Sequence, residues 1–321
     1  MKTVRVDGFG GIENLHLVER PEPRPREGEL LMRVAACGLN YADVMQREGL
    51  YPGGPKPPYY PGVEAAGVVE SVGPGTSASP VGSRVAAITR GGAHAAYVIA
   101  DASACIALPD PVSFNEGAAF PVQYLTAYHA LTTVGGAREG ETVLIQAAGG
   151  GVGTAAVQIA KLLGLRVVGT ASTPEKRARI LELGADRAVG YEEFEAVARE
   201  FTRGRGPDIV IETVGGSVLR RSLAILPSFG RLLVVGIASR EAPPIDTLKL
   251  LFRSQAVLGF HLNAIFERPA LVKTSVAQLL KWMGEGKLKI QIGCALPLSE
   301  IRRAHELLAN RQSYGKIVLL P

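Results

Sequence analysis

Residues 142–164 read TVLIQAAGGGVGTAAVQIAKLLG. An apolar run, Thr142–Ala147, meets consecutive glycines and then a stretch with helical periodicity that opens near Val152. In the frame G-x-G-x-x-G the key positions are Ala148, Gly150 and Gly153, with alanine in the first. Gly150 would let backbone approach a pyrophosphate, and Gly153 would let the helix lie close on the strand. The N–H groups of Gly151, Val152 and Gly153, at the positive end of the helix dipole, would hold the phosphates. The implied chemistry is dinucleotide binding and, through it, hydride transfer.

The end of the next strand, LRVVGTAS, chooses the ribose. An NAD site usually carries Asp or Glu about 20 residues beyond the glycines, bonded to the 2′-hydroxyl. Here the strand ends in Thr170, Ala171 and Ser172, and Lys176 and Arg177 follow in the next helix. An acid would repel a 2′-phosphate, whereas a hydroxyl and an ammonium would hold it. NADPH is therefore the expected cofactor, with Ser172 and Lys176 as ligands and Arg177 as an exposed helix residue.

Other chemistries find little support. The three cysteines, Cys37, Cys105 and Cys294, are odd in number and contain no CxxC pair. That spacing excludes a disulfide framework or a four-thiolate zinc site. His94, His129 and His261 stand at no ligand spacing from cysteines or acids and read as structural or surface groups. The pair Gly216-Ser217 lacks the strand–turn–helix context of a nucleophile elbow.

The elements that must carry the glycine loop come from 321 residues, 47% apolar and 20% charged. That length suggests two domains, and the composition excludes disordered, collagenous and disulfide-dense classes. The net charge is +5, but the basic residues are scattered. A solvated surface is expected, without nucleic-acid partners and with some attraction for an anionic cofactor. No apolar run is long enough to span a bilayer, so no integral membrane association is expected. The N-terminal MKTVRVDGFG lacks a signal-peptide core, so a cytoplasmic location is expected.

Residues 1–118 alternate short β-like bursts with Pro/Gly turns, as in GELLMRVAACGLN and VEAAGVVESVG. Residues 51–62 carry five prolines and form a rigid extended loop. From 119 to 260 apolar strands alternate with amphipathic helices, the pattern of an α/β, doubly wound parallel sheet. After about 261 come the helical stretch ALVKTSVAQLLKWMGEG, a short strand LKIQIG, the helix LSEIRRAHELLANR and a terminal strand GKIVLL. This tail is expected to complete the N-terminal domain, giving 1–118 plus 261–321 against 119–260.

Several segments together resemble the medium-chain dehydrogenase/reductase superfamily, and within it the zinc-free quinone oxidoreductases, on the VAT-1-like branch. They are CGLNYADVMQREGLYPGG (37–54), PGVEAAGVVESVGPG (61–75), QYLTAYHAL (123–131), AAGGGVGTAAVQIAK (147–161), LGFHL (258–262) and GKIVLLP (315–321). The resemblance implies a GroES-like mostly-β catalytic domain and a Rossmann NADP-binding domain. The zinc members carry a cysteine ligand in a GxCxxD context and a histidine in a GHE triplet. Here Asn40 and Val63 stand at those positions. An amide and an isopropyl group cannot complete a tetrahedral zinc site, so no metal is expected. Cys37 is offset from the ligand position and reads as a buried strand residue.

The resemblance also implies roles. Asn40 would lie beside the nicotinamide and donate to a nascent oxyanion. Tyr51 would flank the acceptor, and Tyr41, where many relatives have phenylalanine, is a second donor candidate. Asp43 and Tyr124 would line the substrate pocket, Asp43 with a structural share. Thr126, Tyr191, Gly236, Ile237, Phe260 and Lys316 would contact the cofactor. Without a Lewis acid, conjugated acceptors suit the site better than simple ketones, because hydride addition makes a delocalised anion. The expected activity is NADPH:quinone reductase, with a quinone or enone as substrate. Enoyl or alkenal reduction and an NADPH-binding lipid- or protein-interaction role are the alternatives. A homodimer joined along the strand near Ala256–Phe260 is expected.

Overall fold

A computed structural model describes residues 1–76 and 79–321. The chain divides into two compact units, Met1–Val122 with Ile290–Pro321, and Gln123–Lys289.

The first unit begins with strands β1 (Lys2–Val6), β2 (Leu15–Glu19) and β3 (Glu29–Leu39) and helix α1 (Tyr41–Glu48). Strands β4 (Glu64–Val72), β5 (Arg84–Ile88), β6 (Tyr97–Asp101) and β7 (Cys105–Ala107) and helix α2 (Phe114–Ala119) follow. The long strand β3 is the hub, pairing antiparallel with both β4 and β6. Its inward residues Leu30, Met32, Cys37 and Leu39 join Val4, Leu15, Val69 and Val85 in one core. Cys37 is thus a buried strand residue, and burial pushes its thiol well above the usual range.

The second unit opens with α3 (Pro121–His129), whose first two residues belong to the first. Then strands and helices alternate: β8 (Thr142–Ile145), α4 (Gly151–Leu162), β9 (Arg166–Thr170), α5 (Pro174–Glu182), β10 (Arg187–Val189) and α6 (Phe194–Phe201). They continue as β11 (Ile209–Glu212), α7 (Gly216–Ala224), β12 (Arg231–Val234), α8 (Thr247–Arg253) and β13 (Ala256–Gly259), then α9 (Asn263–Phe266) and α10 (Pro269–Gly284). The strands form one parallel sheet in the order β10-β9-β8-β11-β12-β13. Every residue of β8 and β11 is buried, as strands covered on both faces require. The expected α/β doubly wound sheet is present. The order reverses between β8 and β11, where such sheets bind ligands beyond the strand carboxyl ends.

The chain then returns to the first unit as β14 (Ile292–Pro297), α11 (Ile301–Ala309) and β15 (Lys316–Leu320). β15 pairs with β3, and β14 extends the sheet outward. Two expectations differ here. The pattern puts the return at about residue 261, but α10 and the chain to Lys289 belong to the second unit. The pattern also puts the short strand on LKIQIG, but it covers Ile292–Pro297. The reason is a set of contacts that periodicity does not reveal. Tyr124 hydroxyl donates to the Lys289 carbonyl at 3.0 Å, and Gln158 brackets Lys289 at both its N–H and its C=O, at 2.9 and 3.0 Å. His129 Nε2 lies 3.0 Å from Ser275 Oγ, and the Tyr128 and Trp282 rings stand 6.1 Å apart. Burial holds the His129 imidazole down at about 4, a neutral packing group.

Leu144, Val168, Phe194, Val210 and Leu232 form the core beneath the glycine turn. Leu144→Ala should cost about 2–5 kcal/mol of unfolding free energy. Urea titration followed by the fluorescence of Trp282, the single tryptophan, checks this.

Candidate active site

The glycine turn leaves β8 through Ala147, whose φ of 51° is left-handed. A side chain there is strained by roughly 1 kcal/mol or more, so surrounding bonds must hold it. Ala147 N–H donates to Thr170 Oγ1 at 3.1 Å, and Ala148 N–H to the Thr170 carbonyl at 2.8 Å. Thr170 hydroxyl in turn donates to Gln146 Oε1 at 2.7 Å, and Gln146 Nε2 donates to Ser222 Oγ at 2.9 Å. Ser222 reaches Glu212, whose carboxylate also accepts the N–H groups of Val214 and Gly215. Burial raises the Glu212 carboxyl pKa, and the two backbone donors oppose that rise. This buried chain locks the turn. Sequence reasoning missed it, although a Gln and a Glu ending apolar strands were a usable signal.

Gly150 caps α4, so the first N–H groups of the helix, at Gly151, Val152 and Gly153, fall outside its ladder. A Cβ on Gly153 would lie 2.5 Å from Ala148 Cα, which accounts for glycine at the close approach of helix and strand. Gly151 faces Gln123 Cγ, 2.8 Å from where its Cβ would be, so α3 lines the turn and carries the buried Thr126 with it.

The remaining cofactor candidates of this unit sit beyond the carboxyl ends of successive strands. Ser172 is exposed just past β9, and Tyr191 follows β10, whose Val189 carbonyl accepts from Ala171 N–H at 3.0 Å. Lys176 lies in the first turn of α5, and its N–H is capped by Thr173 Oγ1. Burial depresses the Lys176 ammonium. No carboxylate terminates β9. Arg177 is not a free surface residue: its guanidinium donates to the Ala171 carbonyl at 3.3 Å. Gly236 and Ile237 follow β12, and Phe260 follows β13 with its N–H on the Val234 carbonyl at 3.0 Å.

In the first unit, β3 delivers Asn40 to the N-cap of α1. Asp43 Oδ2 accepts the Asn40 backbone N–H at 2.8 Å. The Asn40 amide is held at both ends. Its Nδ2 donates to Glu64 Oε1 at 2.9 Å, and its Oδ1 accepts from Lys316 Nζ at 2.8 Å. Lys316 also forms an ion pair with Glu64 Oε1, and Glu64 Oε2 accepts the Val122 N–H at 2.9 Å. Asn40, Glu64 and Lys316 are 6%, 0% and 3% exposed. Burial lowers the Lys316 ammonium pKa, and Glu64 acts against that. Gly38 makes the room: a Cβ there would stand 2.6 Å from Lys316 Cε and 2.8 Å from Glu64 Oε1.

Three expected site residues are largely buried. Lys316, expected to touch the cofactor, is turned inward onto Asn40 and Glu64. Asp43, expected along the substrate pocket, is wholly buried as the α1 cap, with His94 Nε2 at 4.0 Å. Tyr124 is 2% exposed, with its hydroxyl on Lys289. Tyr41, the first residue of α1, and Tyr51, just past its end, remain partly accessible, and burial followed by the Asp43 charge raises the Tyr51 hydroxyl pKa. Sequence reasoning reads Glu64 only as part of a triplet; an acid directly before the apolar run Ala65–Val69 was its signal.

The chain matches the alcohol dehydrogenase GroES-like domain over residues 26–110 and the zinc-binding dehydrogenase family over residues 151–283. It is 35% identical to human quinone oxidoreductase, with 100% of this chain and 98% of that one covered. The chain belongs to the medium-chain dehydrogenase/reductase superfamily. Within this superfamily it is quinone-oxidoreductase-like and on the VAT-1 branch. It is 33% identical to the human synaptic vesicle membrane protein VAT-1 homolog, covering 100% of this chain and 86% of that protein. The solved quinone oxidoreductase of Thermus thermophilus, also described in complex with NADPH, is 40% identical, with a TM-score of 0.87 over 100% of both chains. One matched family is named for zinc. Among the described residues of this superfamily member, no group of three or more His, Cys, Asp and Glu side chains is placed to hold a metal ion. No described helix is long and apolar enough to cross a membrane.

Removing one partner of a buried ion pair strands the other. Lys316→Met should destabilise the protein by about 3–5 kcal/mol, and Glu64→Gln in the same chain should recover part of the loss. Chemical denaturation followed by circular dichroism reads both.

Proposed function

We propose that this chain is an NADPH-dependent reductase that passes hydride to quinones or related conjugated carbonyls without zinc. The observation that carries the reading is the buried Lys316 ammonium bonded to Asn40 Oδ1 and Glu64 Oε1. The charge beside Asn40 is thus a fixed ammonium, and the donor set of an amide, an isopropyl and an already paired carboxylate does not suit zinc.

The residues of the second unit fit NADPH. The turn at Gly150–Gly153 presents backbone N–H groups suited to phosphate, and we assign Ser172, Lys176 and Tyr191, which follow β9 and β10 in the chain with no acid at the end of β9, to the ribose phosphate end. Thr126, Gly236, Ile237 and Phe260 are assigned to the rest of the cofactor by position. When bound, NADPH supplies the hydride.

The protein's own work is electrostatic. Lys316 on Oδ1 and Glu64 on Nδ2 set which way the Asn40 amide faces. A primary amide has two N–H donors. Asn40 Nδ2 donates to Glu64, and by position we assign the amide as a donor to the developing oxyanion. Lys316 polarises the amide and strengthens that donor. Tyr41 and Tyr51 are further hydroxyl donors on the acceptor. A quinone or enone spreads the incoming charge over its conjugated system, so a few donors suffice. Asp43 supports this arrangement by accepting the Asn40 backbone N–H.

We also infer a homodimer joined along β13. That strand ends the sheet, and Leu248, Leu251 and Phe252 on α8 beside Phe229 are strongly exposed. A bare edge with apolar neighbours favours pairing with a second copy. A cytoplasmic setting suits the three free thiols.

Two measurements test the enzymatic reading. Lys176→Glu should weaken NADPH binding about ten-fold or more and spare NADH in calorimetric titration, as expected for loss of a charge-assisted phosphate contact. NADPH oxidation should proceed with an ortho-quinone and an enone; binding without oxidation across such acceptors overturns the assignment. For the dimer, Phe252→Asp should shift the species seen by light scattering from dimer to monomer.

A further inference from the structure

The hydrogen-bond chain behind the glycine turn has a direction, and that direction has one source. Gln146, Thr170, Glu212 and Ser222 are all fully buried. Gln146 directly follows β8, Thr170 ends β9, Glu212 ends β11 and Ser222 lies on α7. Together they cross the carboxyl ends of β9, β8 and β11, where the strand order reverses. A hydroxyl has one proton to give. Ser222 donates it to Glu212 Oε2 at 3.5 Å, the longest link, so its oxygen accepts from Gln146 Nε2 at 2.9 Å. Gln146 Oε1 then accepts the Thr170 hydroxyl at 2.7 Å, which leaves Thr170 Oγ1 to accept the Ala147 N–H at 3.1 Å.

Gln146, Thr170 and Ser222 can each turn to donate or to accept; the two ends cannot. A backbone N–H only donates, and an ionised carboxylate only accepts. Glu212 therefore sets the sense of every bond between itself and Ala147. Its own place is fixed, because Oε1 accepts the N–H groups of Val214 and Gly215, the second at 2.8 Å. Its backbone carbonyl accepts the N–H groups of Val235 and Gly236, at 2.8 and 3.3 Å. The side chain thus serves the turn after β8, and the main chain holds the segment after β12 that carries Gly236 and Ile237.

We propose that Glu212 is a positioning residue for the dinucleotide: acting from behind the turn, it sets NADPH affinity by orienting Ala147 and, through it, the N–H groups of Gly151, Val152 and Gly153. The proposal rests on the NADPH reading above and deepens it; it needs no particular hydride acceptor. The physical reason is the strained turn. Ala147 is held at a left-handed φ of 51°, so it relaxes when its N–H loses a good acceptor. Gly150 moves with it, because Gly150 N–H donates to the Ala147 carbonyl at 2.9 Å, and Gly150 is the N-cap of α4. The change Glu212→Gln isolates this effect. Glutamine keeps the shape and still accepts from Val214 and Gly215, but it offers Ser222 an N–H in place of an oxygen. The Ser222 hydroxyl must then turn toward Gln146, whose amide turns over in response. Gln146 Nε2 now competes with the Ala147 N–H for Thr170 Oγ1, and the buried Thr170 proton has no acceptor.

Three variants of the full chain decide this: Glu212→Gln, Thr170→Val and the two combined. In calorimetric titration each single variant should bind NADPH about ten-fold more weakly, the scale of one buried hydrogen bond lost. The double variant should be little weaker than either single one, because both changes cut the same chain. With a quinone as acceptor the loss should fall on KM for NADPH, with kcat within about two-fold of wild type. In the protein without cofactor, Glu212→Gln should speed amide hydrogen exchange at Ala147 about ten-fold and leave Leu232, in the core of β12, at its wild-type rate. Ser222→Ala, which cuts the chain beside Glu212 and leaves the carboxylate on its two backbone donors, takes the place of Glu212→Gln if that variant does not fold. Wild-type affinity in both single variants, losses that multiply in the double variant, or equal acceleration at Ala147 and Leu232 overturns the proposal alone. A wild-type chain that binds no NADPH overturns the cofactor reading and the affinity claim with it, while the exchange rates still report whether Glu212 orients the turn.

Discussion

A fully buried ammonium survives only beside an opposite charge, and Lys316 is such a group. Its desolvation is offset by Glu64 and by the Asn40 carbonyl oxygen, so that three different elements meet at one ion pair. The terminal strand β15, the strand β4 and the start of α1 are thereby fastened at one point. Gly38 is small because that point lies against it, and β15 lies alongside β3 because Lys316 must arrive there. The orientation of the Asn40 amide follows from this packing. A surface ion pair would leave the amide to rotate; a desolvated one does not.

The second unit solves a similar problem with neutral groups. A phosphate-binding turn needs its backbone N–H groups pointed outward, so the turn cannot bond them inward. Ala147 takes a strained left-handed conformation, and the chain from Thr170 through Gln146 and Ser222 to Glu212 holds it there. In both units, buried polar groups with satisfied partners fix a small piece of backbone or one amide, and apolar strands carry the bulk of the stability. The Asp43–His94–His305 cluster is the exception, because Asp43 Oδ1, His94 Nδ1 and both His305 ring nitrogens find no hydrogen-bond partner among the described residues.

Much of the design was legible along the chain. Strand–glycine–helix order is a local pattern, and so is the alternation of apolar strands and amphipathic helices; each depends on spacing that side chains and backbone dictate within a few turns. The missing acid after LRVVGTAS is likewise a one-position statement. Asn40 and Val63 in place of zinc ligands were readable residue by residue. The return of the chain was not. Residues 261–289 are helical by pattern, and a helix carries no local mark of the unit it packs on. His129, Tyr128, Tyr124 and Gln158 decide that, from more than a hundred residues away in sequence.

The sequence by itself determined the α/β class, the phosphate turn and the absence of an acid at the ribose end, because these are written in short-range order. Only the tertiary structure decided where Lys316 goes. From its position in a GK pair it could be read only as a cofactor contact or an ordinary packing residue. The choice was made by a carboxylate 252 residues earlier, because a buried charge settles wherever its partner lies, and nothing local to either residue names the other.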